Sequence, residues 1–135
     1  MGDSCSELMG APALCRILVV EDEVLIRLMI ADILMRAGFQ VVQAASADEG
    51  LQVLHSSVEV SLVLTDIRMP GSANGLELAR RIRADWPALK IVIVSSEDME
   101  KAADLPADAF IGKPFHPTDV VGTVKQLLGL QNDQP

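Results

Sequence analysis

At 135 residues, half of them hydrophobic, the chain has the length of one domain and enough apolar material for one core. Its formal charge is −8, from 11 basic against 19 acidic residues, and no Lys/Arg cluster offsets it locally, which argues against nucleic acid as a direct partner. No apolar run approaches the roughly 20 residues needed to span a bilayer, and the N-terminus lacks the basic start and apolar stretch of a signal peptide; the expected setting is the cytoplasm, without membrane insertion.

Residues 1–14 are polar and small, with Gly2, Gly10 and Pro12, and read as a flexible arm. Met1-Gly2 opens like an acylation motif, but acidic Asp3 and Glu7 speak against it. Cys5 and Cys15 are expected as free thiols of a reducing compartment, because a chain with this much core needs no disulfide.

A first strand is expected over Arg16–Val20. A helix follows over Val24–Ala37, with Ile26, Met29, Ile30 and Ile33 at the i, i+3, i+4, i+7 spacing of a buried stripe and Gly38 placed as a left-handed cap. The second strand is expected over Gln40–Ala44. Ser46 and Glu49 form an S-x-x-E capping box that opens a helix ending near His55. The third strand covers Leu62–Thr65. The loop from Met69 to Gly75 is dense in turn residues. The next helix runs over Leu76–Asp85, with Leu78 and Ile82 inward, Trp86 as a packing residue at its end, and Pro87 beyond.

The fourth strand is expected over Lys90–Val94, a short fourth helix within Asp98–Asp104, and the fifth strand over Ala109–Ile111. A last helix begins at Pro117, a favoured first-turn position, and presents Val120, Val121, Val124, Leu127 and Leu128 before Gly129 ends it. The division is thus an arm at 1–14, one domain at 15–129 and a tail at 130–135.

Continuous apolar strands alternating with amphipathic helices imply a parallel α/β sheet buried on both faces. Right-handed crossovers give an open, doubly wound, five-stranded flavodoxin-like fold in the order 2-1-3-4-5. All strand carboxyl ends then share one edge. The residues just past them are Glu21 and Asp22, Asp66, Ser95 and Lys113. Clustered carboxylates resist ionising together unless a cation joins them, and Mg²⁺, which keeps waters and accepts phosphate oxygens, suits such a set. Asp66 is placed as a nucleophile toward phosphorus, with Lys113, held extended before Pro114, to neutralise transferring oxygens and Ser95 to donate a hydroxyl.

Four motifs carry a resemblance: Leu18-Val19-Val20-Glu21-Asp22-Glu23, Thr65-Asp66-Ile67-Arg68-Met69-Pro70, Val94-Ser95-Ser96 and Lys113-Pro114-Phe115. In this order and spacing, over about Arg16 to Leu128, the sequence resembles the receiver domain of two-component response regulators. The resemblance implies that Asp66 is a phosphoacceptor supplied by a sensor histidine kinase. Glu21 and Asp22 match the acidic pair, and the Arg68 carbonyl completes the Mg²⁺ ligands. Ser95 and Phe110 match the switch pair and Lys113 the family's lysine. The face of the fourth helix, fifth strand and fifth helix is the expected signalling surface and the candidate homodimer contact, with output through a protein target.

Three departures stand out. Phe110 replaces the common tyrosine, Ser96–Asp108 is short for a full fourth helix and loop, and the loop after Pro70 carries one extra residue before Gly75. The last two are similar to stand-alone receivers of alphaproteobacterial type. A domain of this kind acts as a switch, a phosphorelay intermediate or a phosphate sink, promoting only its own phosphorylation and dephosphorylation.

Plainer readings stand beside these. Asp66 alone would be a solvated loop residue, Lys113 a surface lysine, Phe110 a core aromatic, and Glu23 a helix-dipole residue. Arg68 and Glu97 form either a weak surface ion pair or a gate over the pocket. His55 and His116 are expected on the surface. Two other classes fit less well. A dehalogenase-type phosphatase requires D-x-D, but Arg68 stands at the second position. A flavodoxin-like nucleotide carrier needs a Gly/Ser/Thr-rich phosphate loop where this chain has Glu21-Asp22-Glu23.

Overall fold

The computed structural model of the chain describes residues 15–67, 75–95 and 106–130. Its elements are β1 (Arg16–Val20), α1 (Val24–Arg36), β2 (Gln40–Ala44), α2 (Ala47–His55), β3 (Leu62–Asp66), α3 (Gly75–Asp85), β4 (Lys90–Ser95), β5 (Ala109–Gly112) and α4 (Pro117–Leu127). The expected helix within Asp98–Asp104 lies outside the described residues, as do Arg68, Glu97, the arm at 1–14 and most of the tail.

The strands pair in parallel as β2-β1-β3-β4-β5, the expected order. Alternation along each strand divides the core in two. Ile17, Val19, Leu62, Leu64, Val92 and Val94 face one side and pack with Ile30 and Leu34 of α1 and Val120 and Val124 of α4. Leu18, Val20, Val63, Ile91 and Ile93 face the other and pack with Leu54 of α2 and Leu78 and Ile82 of α3. Each such side chain removed from water contributes about 1.5–3 kcal/mol, so the sheet is fixed from both faces.

Local chemistry sets the element ends. Ser46 caps α2 by accepting the Glu49 N–H at 3.1 Å, while Glu49 Oε1 accepts the Ala45 N–H at 2.8 Å. Gly38 (φ 100°) and Gly129 (φ 72°) adopt the left-handed conformation that ends α1 and α4. His116 is exposed as the N-cap of α4, where its N–H donates to Asp119 Oδ2 at 3.3 Å.

Two expectations need correction. Met29 is 48% exposed rather than inward; the buried stripe of α1 is Ile30, Ala31 and Leu34, with Ile26 and Ile33 partly buried. Helix α1 is apolar around its circumference, so spacing alone did not say which stripe faces the sheet. Val24, Leu25, Leu28 and Met35 are likewise exposed. Cys15 is disulfide-bonded and no free cysteine occurs among the described residues. Its partner lies outside them. Core size bears on whether a disulfide is needed, not on whether two nearby thiols meet.

Candidate functional site

Strand register builds the site. Val20 pairs with Thr65, Asp66 with Val94, and Ser95 with Gly112. The next residues after β1 and β5 are therefore Glu21 and Lys113, beside Asp66 and Ser95 at the ends of β3 and β4. Asp66 continues the Leu62/Leu64 side of the sheet, whereas Ser95 continues the Ile91/Ile93 side, against which Phe110 packs half-buried.

Glu21, Asp66 and Ser95 are buried at 1%, 8% and 4% exposure, and Asp22 is half-buried. Carboxylate oxygens of Glu21, Asp22 and Asp66 lie within 4.8 Å of one another. Lys113 Nζ donates to Asp66 Oδ2 at 2.7 Å and stands 3.5 Å from Glu21 Oε1. The Lys113 backbone is held to the end of β4, its N–H donating to the Ser95 carbonyl at 3.0 Å, and the Lys113–Pro114 bond is cis.

The electrostatics follow from this crowding. Burial, the foremost cause, and the neighbouring Asp66 charge raise the Glu21 carboxyl from its usual 4.5 to about 7, against the lowering effects of the Glu23 N–H bond and Lys113. For Lys113, burial works against the charged form, but its contacts with Asp66 and Glu21 outweigh it and the net shift is upward. One ammonium thus serves two carboxylates. An all-oxygen donor set with excess negative charge fits a hard divalent cation, and Mg²⁺ tolerates the few protein ligands available.

The structure brings together five sequence-predicted residues: Glu21, Asp22, Asp66, Ser95 and Lys113. It adds two that sequence reasoning passed over. Gly75 opens α3 with its N–H donating to the Ile67 carbonyl at 2.9 Å, and a Cβ there would overlap the Asp66 carbonyl oxygen. Its position at the end of a turn-rich loop was the available signal. Arg27, one turn into α1, donates from Nη1 to the Glu21 carbonyl at 2.9 Å; a lone helical arginine gives no comparable signal.

Residues 17–125 match the family model of the response regulator receiver domain. The chain is 33% identical over 132 residues to the alkaline phosphatase synthesis transcriptional regulatory protein SphR of Synechococcus elongatus, spanning 89% of this chain and 51% of that protein. It is 37% identical to the sensor kinase CckA of Brucella abortus, over 86% of this chain and 13% of that one. It therefore spans about half the length of the first of these curated relatives and a small part of the second. Among solved structures, the response regulator TrrA of Thermotoga maritima in complex with Mg²⁺ and BeF superposes with a TM-score of 0.77 at 32% identity, over 84% of this chain and 98% of that one.

Proposed function

The chain belongs to the response regulator receiver domains, and from that premise we propose that it accepts a phosphoryl group on Asp66 from the phosphohistidine of a sensor histidine kinase. Receiver domains interact with such kinases and are not an enzyme family in themselves. The observation that carries the residue assignment is the 2.7 Å contact of Lys113 with Asp66 inside a cluster of carboxylates.

A carboxylate oxygen of Asp66 attacks phosphorus, the bond to the donor imidazole nitrogen breaks, and that nitrogen keeps the electron pair; the product is an acyl phosphate. Glu21, Asp22, Asp66 and the Arg68 carbonyl would hold Mg²⁺, which when bound would neutralise charge on the transferring oxygens. Asp22 is the more direct ligand of the acidic pair. Lys113 is already seated on Asp66 and can follow the incoming oxygens with little reorganisation. Ser95 offers a hydroxyl to a phosphoryl oxygen, and Phe110, on the same side of the sheet, turns inward as Ser95 moves. The domain promotes only its own phosphorylation and dephosphorylation.

Output is a protein–protein contact through β5 and α4, the face that would also form a homodimer. The charge of −8 disfavours direct nucleic-acid contact. Similarity to a sensor kinase as well as to a transcriptional regulator supports a relay or phosphate-sink role as the second reading. Among the described residues no helix is long and apolar enough to cross a membrane. The proposed compartment is the cytoplasm; reduction of the Cys15 disulfide there would leave the pocket intact, because Cys15 precedes β1 at the opposite edge of the sheet.

Mass measurement after incubation with acetyl phosphate and Mg²⁺ tests this. The wild type gains one phosphoryl group, Asp66→Asn gains none, and Lys113→Ala binds Mg²⁺ but transfers poorly. A stable phosphoryl group on Asp66→Asn would overturn the assignment.

A further inference from the structure

The acidic loop between β1 and α1 has every electrostatic reason to splay. Glu21, Asp22 and Asp66 repel one another, and burial of Glu21 sharpens the conflict. Yet the Glu21 peptide is gripped on both sides. Its N–H donates to the Ala44 carbonyl of β2 at 3.0 Å. Its carbonyl accepts from Arg27 Nη1 at 2.9 Å. The same guanidinium donates from Nε to Gln43 Oε1 at 3.1 Å, so it bridges the loop to edge strand β2.

The Glu21 carbonyl belongs to the peptide plane that leads into Asp22. Holding that carbonyl restrains ψ of Glu21; a rotation there would redirect the chain into Asp22 and swing the Asp22 carboxylate relative to Glu21 and Asp66. A planar fork that takes two acceptors at once resists such rotation, whereas an ammonium on a flexible stem does not. We propose that Arg27 is a positioning residue for the cation site: bridged to Gln43, it holds the Glu21–Asp22 peptide in the orientation that presents three carboxylates to one Mg²⁺. This deepens, and rests on, the Mg²⁺-dependent receiver reading.

Charge and position act with opposite signs, which makes the inference testable. A guanidinium beside the site repels a second cation, so deleting its charge alone would tighten Mg²⁺ binding. Losing the grip would weaken it. Outer residues that orient metal ligands commonly change affinity tenfold or more, so Arg27→Met should weaken Mg²⁺ binding about tenfold in a calorimetric titration. Gln43→Leu, which leaves the charge in place, should weaken it in the same direction by a smaller factor, and Arg27→Lys, which keeps the repelling charge without the two-acceptor grip, should weaken it at least as much as Arg27→Met.

A second measurement separates positioning from a general structural role. Amide exchange at Asp22 and Glu23 should accelerate in Arg27→Met while the amides of β1 and β3 stay protected. Mg²⁺ binding as tight as wild type or tighter in Arg27→Met, or acceleration throughout β1 and β3, would overturn the proposal. If Arg27→Met does not fold, Gln43→Leu carries the same comparison, and unchanged Mg²⁺ affinity there overturns it. Failure of the wild type to bind Mg²⁺ would instead overturn the cation reading, with the amide measurement still deciding whether Arg27 holds the loop.

Discussion

At the carboxyl end of the sheet, Glu21 and Asp66 both lie against Lys113, Asp22 crowds the same pair, and the Glu21 carboxyl is driven up to about 7. At the amino end, the charges have matched partners. Arg83 donates from Nη1 to the carbonyls of Pro87 (3.1 Å) and Leu89 (3.3 Å), and from Nη2 to Pro106 O (3.4 Å) and Asp108 Oδ2 (2.9 Å). Asp108 Oδ2 also accepts the Ile91 N–H at 2.8 Å. Arg16 likewise donates to Glu59 O at 3.0 Å and Gln40 Oε1 at 2.6 Å, and Trp86 meets His55 edge-on at 5.0 Å. The same sheet thus carries a satisfied end that stabilises it and a frustrated end, where a cation and a phosphoryl group are proposed to bind. Strain of this kind is tolerated where it serves binding.

The sharpest way to break the frustrated end is steric. Gly75→Ala puts a Cβ into the Asp66 carbonyl, so α3 or β3 must shift; the expected cost is about 3 kcal/mol in urea unfolding, with loss of Mg²⁺ binding. A variant as stable as wild type would mean that the start of α3 retreats freely. At the satisfied end, Arg83→Met should cost about 2 kcal/mol, since four acceptors lose a largely shielded cation, and should leave Mg²⁺ affinity unchanged. A matching fall in affinity would show that the two ends are coupled.

The contrast predicts the opposite sign for a charge removed from the pocket. Glu21→Gln should stabilise the metal-free protein near pH 8, on the order of 1 kcal/mol, while weakening Mg²⁺. Equal or lower stability would mean that Lys113 already offsets the Glu21 charge. The same raised carboxyl predicts a pH slope. Because the folded protein holds the Glu21 proton more tightly than the unfolded chain does, Glu21 favours folding below about 4.5, and this contribution is lost as pH rises toward about 7. The difference between wild type and Glu21→Gln, measured without metal across that range, isolates the slope from the other carboxylates; a flat difference would refute the raised value.

Much of this was legible along the chain. Apolar runs located all five strands, and β1 and β2 have the expected bounds. Ser46, Gly38 and Gly129 marked helix ends because capping is local chemistry. The pocket residues were legible because parallel topology places every strand's end on one edge. Met29 was misplaced because a helix apolar all round has no moment to read. Gly75 and Arg27 were missed for a common reason: each acts on the backbone of a residue it does not adjoin in sequence.

What the sequence determined by itself was the order and type of the described elements and the identity of the chemical groups, since periodicity, capping and the placement of acids after strands are written residue by residue. Only the tertiary structure decided which stripe of α1 is buried, that one ammonium serves Asp66 and Glu21 together, and that Arg27 grips the Glu21 carbonyl. Those outcomes depend on distances of a few ångströms between segments far apart in the chain, and such distances are set by the packing of the whole sheet rather than by any local pattern.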